Sequence, residues 1–534
     1  MADELDQSPP DPSWAAEVTA GYTFTGATLP LGALVEDGVA NVAVQVGLPL
    51  AMMTRHGLVA GATGTGKTKT LQVLAEGLSA AGVPVFLADL KGDLSGLAAP
   101  GQSSEKLLAR TSTIGQDWVA AGHPVEFFTL GGLGTGTPLR TTVTDFGPLL
   151  LAKVLGLNAT QESSLGLVFH WADGQGLALL DLQDLRATIA YLVSDEGKPE
   201  LQGIGGLSAA TAGVILREIV TLQSQGADVF FGEPAFEVLD LLRTADDGRG
   251  VISALELPAV QDRPALFSTF LMWLLAELYS ELPEVGDLEV PKLVFFFDEA
   301  HLLFTDASKD FLTQVTQTVR LIRSKGIGVF FVTQSPKDVP PDVLAQLGNR
   351  VQHALRAYTP DDARALRAAV RTFPDSPYDL EELLTTLGTG EAVVTVLSES
   401  GAPTPVAWTR LRAPQSLMAP APPATVASAI AASPVASRYT TAVDRESAYE
   451  LLTARATASS SAASAERAQE AQRAAETTQA RRPAPRERAP RTPPPEQSGF
   501  EQVVTSAPMR SFLRSAGTVL GREISRSLFG TRRR

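Results

Sequence analysis

The chain contains no cysteine among its 534 residues. This absence excludes a disulfide scaffold, thiol catalysis, cysteine-ligated zinc and iron–sulfur clusters. Long apolar runs are also missing: the longest, near residues 265–278, contains Ser268 and Glu277, whereas a bilayer span needs about 18 apolar residues. Residues 1–6 are acidic and polar and do not resemble a signal peptide. We therefore expect a cytoplasmic protein without a transmembrane segment.

Basic residues are scarce, and those present are unevenly placed. The chain has 44 lysines and arginines against 59 acidic residues, which gives a net charge of −15. Residues 480–534 alone hold 12 arginines and 4 acidic residues, so the remainder carries about −23. A body this acidic cannot wrap nucleic acid over its whole surface, and any such contact needs a local basic strip, a pore or the C-terminal tail.

Short apolar runs alternate with helical patterns from residue 57 to about residue 412. This alternation predicts an α/β fold with a parallel central sheet that helices cover on both faces. Leucines at helical spacing predict a large helical insertion at about residues 144–245, and residues 391–397 and 404–410 predict a terminal hairpin. The predicted strands of the central sheet are Gly57–Ala60, Pro84–Asp89, Pro124–Leu130, Gly250–Leu257, Lys292–Asp298, Gly328–Thr333 and Val351–Arg356.

Composition divides the rest of the chain into segments. Residues 1–20 are interpreted as a loose N-terminus, residues 21–56 as a small β segment, and residues 57–412 as the core. Residues 413–498 are rich in Ala, Pro and Arg, which predicts a disordered linker. Residues 499–534 predict an amphipathic helix with a basic end, because apolar residues recur there at steps of three and four: Met509, Phe512, Leu513, Ala516, Val519, Leu520, Ile524 and Leu528.

The strongest chemical signal is a glycine-rich loop that fits G-x-x-x-x-G-K-[ST]. Glycines allow turns that aim several backbone N–H groups at phosphate oxygens, and the following helix adds its positive end. In this pattern Lys67 reaches the β- and γ-phosphates and Thr68 holds Mg²⁺. A loop that binds nothing is the alternative, but an apolar strand leads in and an amphipathic helix leads out. The predicted nucleotide-binding residues are Gly61, Ala62, Thr63, Gly64, Thr65, Gly66, Lys67 and Thr68.

Two adjacent acids follow an apolar strand at Asp298 and Glu299. Ligands of open α/β sheets bind at the carboxyl ends of the strands. We expect Asp298 to hold Mg²⁺ through water and Glu299 to act as the general base on an attacking water. The alternative is that Asp298 caps a helix and Glu299 is a first-turn acid.

Three further polar positions are candidates. Gln334 follows a buried strand, where its amide would sense the γ-phosphate or the attacking water, or else only cap the strand. Arg323 lies at the end of a helix and is a candidate trans-acting finger on a neighbour's γ-phosphate; Arg320 is the second choice and Arg350 a weaker one. The alternative is that Arg323 and Arg320 only stabilise the C-terminal end of a helix, where positive charge is favourable. Asp89 would lie beside the glycine loop and support Mg²⁺ or Lys67, or simply form a turn.

Taken together, these motifs resemble the HerA/FtsK group of P-loop ATPases, and more closely a subfamily of bacterial HerA-like helicases of unknown function. The resemblance is carried by Asp89-x-Lys91-Gly92-Asp93, by Asp298-Glu299-Ala300-His301 and by Thr333-Gln334-Ser335-Pro336, and it covers about residues 21–412 together with residues 517–530. It implies a RecA-like core, ATP and Mg²⁺ as cofactors, a hexameric ring, and hydrolysis coupled to movement of DNA or sometimes protein through a central pore. The N-terminal segment is short for the barrel that DNA translocators of this group often carry, which weakens the expectation of a nuclease partner.

The sequence leaves the substrate open. A ring motor on duplex DNA is the first hypothesis, and an ATPase that acts on a protein, or switches or scaffolds a partner, is the alternative, favoured by the acidic body. The C-terminal helix is expected to dock on its own ring or a neighbouring subunit, to bind a partner, or to touch anionic lipid or DNA.

Overall fold

The computed structural model describes residues 13–304 and 309–480. By its internal contacts the chain divides into two compact units, residues 1–458 and 459–534. The first unit contains the sheet and nearly all of the helices. The described part of the second unit, residues 459–480, is the later part of one long helix.

Helices and strands follow one another along the chain in a fixed order. The strands are β1 (Thr28–Glu36), β2 (Val39–Pro49), β3 (Gly57–Ala60), β4 (Val85–Asp89), β5 (Val125–Leu130), β6 (Thr137–Leu139), β7 (Ile252–Glu256), β8 (Leu293–Phe297), β9 (Ile327–Thr333), β10 (Asn349–His353), β11 (Glu391–Thr395) and β12 (Ala407–Leu411). The α-helices are α1 (Trp14–Gly21), α2 (Lys67–Ala80), α3 (Glu105–Ser112), α4 (Val143–Phe146), α5 (Pro148–Val154), α6 (Ala159–Gly174), α7 (Leu182–Leu192), α8 (Ala209–Ser224), α9 (Pro264–Glu281), α10 (His301–Phe304), α11 (Lys309–Ile322), α12 (Pro341–Leu344), α13 (Pro360–Val370), α14 (Leu380–Thr386), α15 (Pro423–Ala432), α16 (Ala436–Tyr439) and α17 (Ala448–Ala480).

All of these strands belong to one sheet. Within the described residues it has 12 strands in the order β2-β1-β12-β11-β10-β3-β9-β8-β4-β7-β5-β6. The strands from β10 to β6 in this order are parallel to their neighbours. The four at the other end are antiparallel. The fold is therefore mixed α/β with a large, mostly parallel central sheet.

Alternate residues of the parallel strands enter two separate cores. In β8, Phe295 and Phe297 belong to one cluster, whereas Val294 and Phe296 belong to the other. Side chains of a strand point to opposite faces with a period of two, so a strand that is apolar on both faces must be covered twice. On one face, side chains of α2 pack with those of the sheet, including β1 and β2, and on the other face α9 and the helices between β6 and β7 cover the sheet.

The longest apolar run of the sequence is the core helix α9. Its side chains at Leu266, Phe270 and Leu274 are fully buried, and Trp273 is only 2% exposed. An all-round apolar helix of this kind is stable only inside a large core. The helices α4 to α8 lie in the region where leucine spacing predicts a helical insertion.

The N-terminal strands do not form a separate body. β1 pairs with β12, so residues 28–49 extend the central sheet through the predicted terminal hairpin. Residues 13–21 add a helix, α1, in a segment interpreted as loose.

The structure also differs from the predicted linker over its first part. Residues 413–421 lie against α2, and α15, α16 and the start of α17 follow, with Val435, Tyr439 and Leu452 buried. Single apolar residues spaced through an alanine-rich segment are enough to attach it to an existing core, although they could not form a core of their own. The helix α17 continues to Ala480, which also differs from the predicted disordered linker. Residues 481–498 of the expected linker and the expected amphipathic helix at residues 499–534 lie outside the described residues.

Among the residues that the structure describes, no single helix is long and apolar enough to cross a membrane. One pair of helices, Lys198–Ile204 and Ala209–Ser224, reaches that length and composition only when the two are taken together across a bend of 106°.

Candidate active site

Four neighbouring strands end at the same edge of the sheet and carry the predicted site residues there. Their order is β3, β9, β8 and β4, and all are parallel. The glycine loop follows β3, Gln334 follows β9, Asp298 and Glu299 follow β8, and Asp89 ends β4. Neighbouring strands are about 4.8 Å apart, so this topology brings residues that are far apart in sequence to one place.

The glycine loop is tied to the strands on both sides of β3. The Gly61 N–H donates to the Thr333 carbonyl at 3.2 Å, and the Ala62 N–H donates to the Ala354 carbonyl at 2.7 Å. Gly66 caps α2 in the left-handed region with φ of 112° and without a side-chain cap. A helix begun in this way leaves its first N–H groups free to bind an anion.

Lys67 lies between this loop and the acidic strand end. Its Nζ donates to the Ala62 carbonyl at 3.2 Å, and the residue is only 9% exposed. Burial lowers the pKa of Lys67, an effect that the carboxylates of Glu299 and Asp298 oppose. The lysine of the glycine loop and both acids therefore share one electrostatic environment.

One carboxylate oxygen of Asp298 has a hydrogen-bond partner and the other has none. Its Oδ1 accepts the Glu299 N–H at 2.8 Å, whereas Oδ2 is buried without a hydrogen-bond partner. Burial, followed by the proximity of Glu299 and Asp89, raises the pKa of Asp298 to about 7. A buried orphan carboxylate oxygen is costly unless a ligand completes it, and Mg²⁺ takes such oxygens. The residue fits the predicted magnesium role, together with half-buried Thr68 at the start of α2.

Glu299 is held from both sides. Its Oε1 forms an ion pair with Lys91, and its Oε2 accepts the Gln334 amide at 3.5 Å and lies 3.3 Å from His301 Nδ1. Although burial acts to raise the pKa of Glu299, the hydrogen bond and charge of Lys91 lower it overall. The backbone φ of Glu299 is 48°, which is uncommon outside glycine and marks sites where the surrounding structure enforces a geometry.

Asp89 is committed to a turn. Its carboxylate accepts the N–H groups of Lys91, Gly92 and Leu94 at 3.1, 2.7 and 2.8 Å. Burial raises the pKa of Asp89 to about 6. This geometry favours the turn interpretation and fixes the loop that carries Lys91, while direct contact of Asp89 with the nucleotide or with Mg²⁺ stays a prediction.

Arg323 lies away from the site of its own chain. It precedes β9, whereas Gln334 follows that strand, and the seven residues of β9 separate them by roughly 20 Å. Its guanidinium lies 3.4 Å from Asp287. Arg320 lies on α11 and Arg350 is the second residue of β10, so neither joins the site of its own chain. A role of any of the three therefore requires a neighbouring subunit and stays a prediction.

Sequence reasoning missed two cations at this edge. Lys91 contacts Glu299 across 208 positions of the chain, and Arg356 lines a cavity of about 620 Å³ beside the glycine loop together with Ala62, Thr63 and Gln334. The turn motif around Asp89 drew attention to the position of Lys91, but no sequence pattern links it to Glu299.

Comparison with known proteins decides the family. The family model described as "Helicase HerA-like C-terminal" matches residues 35–534. The chain belongs to this HerA-like family. The resemblance that the motifs indicate is thereby confirmed.

Relatives and solved structures add to the HerA-like assignment. The probable helicase MJECL08 of Methanocaldococcus jannaschii is 31% identical over 150 residues, which are 27% of this chain and 28% of that protein. The plasmid coupling protein TrwB in complex with a GTP analogue is 16% identical, with a TM-score of 0.50 over 75% of this chain and 98% of that one. The same protein in complex with ADP and Mg²⁺ gives the same values. These structures confirm a RecA-like P-loop ATPase fold for the HerA-like chain.

Proposed function

We propose that this HerA-like protein hydrolyses ATP with Mg²⁺ and uses the energy to move DNA. The observation that carries the proposal is the convergence of Lys67, Glu299 and the open Oδ2 of Asp298 at one edge of the sheet. Each supplies a function that hydrolysis of a triphosphate requires: a phosphate cation, a base and a metal ligand.

The glycine loop is the proposed seat of the triphosphate. The free N–H groups at the start of α2 bind phosphate oxygens, and Lys67 leaves the Ala62 carbonyl to contact the β- and γ-phosphates. Thr68 and Asp298 would hold Mg²⁺, which when bound neutralises charge on the phosphates. TrwB, a protein of the same fold, is known with ADP and Mg²⁺.

Glu299 is the proposed general base, and Gln334 the proposed sensor. The lowered pKa of Glu299 keeps it ionised at neutral pH, which a base requires before it accepts a proton from water. Gln334 contacts Glu299 from the neighbouring strand end, so a change at the γ-phosphate can reach β9 through this amide. Arg323 is the proposed finger toward a neighbouring subunit in a hexameric ring.

DNA is the proposed substrate because the family is one of helicases and because MJECL08 is a probable helicase. The net charge of −15 supports the second candidate, an ATPase that acts on a protein or switches a partner, since DNA-binding surfaces are usually basic. The two candidates differ in what stimulates turnover.

The test compares ATP turnover with and without duplex DNA at low salt. The proposal predicts Mg²⁺-dependent hydrolysis that duplex DNA accelerates in the wild-type protein, and no turnover in Lys67→Ala at either condition. Hydrolysis that no nucleic acid stimulates would contradict the DNA proposal and favour the protein substrate, whereas absence of any hydrolysis would contradict the ATPase proposal itself.

A further inference from the structure

Lys91 stands on a loop that is fixed next to the proposed base. β4 and β8 are neighbours in the sheet, with Ala88 opposite Phe297, so the residues that follow the two strands meet. The three N–H groups that Asp89 accepts hold the loop backbone in place. The side chain of Lys91 therefore reaches Glu299 from a fixed position.

The contact with Lys91 completes the set of partners around Glu299. Oε1 is paired with Lys91, and Oε2 is directed to Gln334 and His301. These contacts fix the orientation of the carboxylate, although each of its oxygens can accept a further hydrogen bond. To turn from this orientation toward an attacking water, the carboxylate of Glu299 must loosen at least one of these contacts.

Lys91 is the partner that can open at low cost. Half of its side chain is exposed, at 50%, whereas that of Glu299 is 6% exposed. The ammonium group of Lys91 enters water on release, so its own charge is not left buried.

We propose that Lys91 is a positioning residue that holds Glu299 in a resting orientation, and that hydrolysis proceeds after the carboxylate leaves Lys91 and turns toward the attacking water. This inference rests on the proposed ATPase function. A polymer or subunit that contacts the solvent-facing end of Lys91 can then change the rate of hydrolysis without contacting the nucleotide.

The experiment measures kcat and KM for ATP in Lys91→Met and Lys91→Arg. Methionine keeps the apolar stem and removes the charge, and arginine keeps the charge. We expect Lys91→Met to raise kcat at least about two- to five-fold, the factor for a solvent-exposed ion pair, with KM unchanged. Lys91→Arg should have the same kcat as the wild-type protein.

A matched control is Lys153→Met. Lys153 pairs with Glu162 at 3.0 Å, is 34% exposed and lies in the helical insertion, away from the site. It should leave kcat unchanged. Thermal melting of each variant checks that the fold is retained, and a fluorescent ATP analogue checks that affinity for nucleotide is equal.

The outcomes separate this inference from the proposed function. The role of Lys91 is overturned, while ATPase activity stands, if kcat of Lys91→Met is equal to or below that of the wild type. It is also overturned if Lys91→Met and Lys91→Arg are both faster than the wild type, because arginine keeps the charge. If the wild type itself does not hydrolyse ATP, the proposed function fails and the role of Lys91 fails with it.

Discussion

At the residue scale, the edge of the sheet concentrates carboxylates in a buried place. Asp89, Asp93 and Glu256 lie close together beside the loop that carries Lys91, and Asp298 lies on the next strand. Like charges that are poorly solvated disfavour ionisation. Lys69 lies near Asp89 and Asp93 and offsets part of this repulsion, and a bound Mg²⁺ would add positive charge. Clustered buried carboxylates of this kind are expected of a binding site rather than of an element that stabilises the fold.

The effect of these clustered carboxylates on stability can be measured at Glu256. Burial, and then the charges of Asp89 and Asp93, raise the pKa of Glu256 to about 8. The folded state therefore binds a proton that the unfolded state has lost between about pH 4.5 and pH 8, so this group's contribution to stability falls as pH rises through that window. We expect Glu256→Gln to raise the melting temperature at pH 8 and to have little effect at pH 5, measured by thermal melting across this range. An equal shift at both pH values would contradict the raised pKa.

Gly61 is required for a different reason, which is space. A Cβ at this position would lie 2.4 Å from His353 Cβ, closer than side chains approach. Gly61→Ala must displace the glycine loop or β10, and we expect at least a ten-fold loss of affinity for a fluorescent ATP analogue, a change of about 1.4 kcal/mol. Gly166→Ala, in α6 with open space around it, is the control. Unchanged affinity in Gly61→Ala would show that the loop has room that the structure does not indicate.

At the element scale, the helix that begins at the glycine loop is attached to the segment that follows the sheet. Glu76 of α2 is 5% exposed and accepts the N–H groups of Gln415 and Ser416 at 2.8 and 2.9 Å, and also the Ser416 hydroxyl. Lys69 donates to the Met418 carbonyl at 2.6 Å. Residues 413–421 are therefore packed against the domain that contains the sheet, and they stabilise α2, whose first turn is the proposed phosphate site.

Removal of this attachment should destabilise the protein. Glu76→Ala leaves buried N–H groups of Gln415 and Ser416 without an acceptor, and we expect a loss of about 2–4 kcal/mol in the free energy of unfolding. Urea denaturation measures it. Glu17→Ala, an exposed acid of α1, should change stability by less than about 0.5 kcal/mol. If the two variants were equally stable, residues 413–421 would not be held by Glu76.

The elements that sequence predicts well are those whose residues face apolar cores on both sides. β3, β4, β8 and β9 agree with the predicted strands to within a residue or two, because continuous apolar runs bounded by turns have few other solutions. β6, with three residues, carries too little pattern to detect. Composition predicts a linker after residue 412, because it is insensitive to single buried residues such as Tyr439. The pairing of β1 with β12 depends on contacts between distant parts of the chain.

The contacts of the site also differ in whether the sequence predicts them. Lys67, Asp298, Glu299 and Gln334 are predictable because each follows a recognisable strand and the strands are parallel neighbours. The ion pair of Lys91 with Glu299 is not, because it depends on the order of β4 and β8 in the sheet, which the sequence does not specify.

At the scale of the whole molecule, the position of Arg323 bears on assembly. It lies at the opposite edge of the sheet from the site of its own chain, so a catalytic role requires that a neighbouring subunit present it. If a ring forms and Arg323 acts in trans, mixing Arg323→Ala with wild-type subunits should lower turnover more steeply than the wild-type fraction. Turnover in proportion to that fraction would contradict a trans-acting role. Arg364→Ala, an exposed arginine paired with Asp361, is the control.

The central claim is that the glycine loop and the acidic strand end form one catalytic site for ATP. The most direct test measures nucleotide binding and turnover in Glu299→Gln on the same preparation. The account predicts that affinity for ATP with Mg²⁺ is retained while turnover falls by a factor of about 10² or more, because the loop is intact and only the base is lost. Turnover in Glu299→Gln that equals the wild-type value would contradict it.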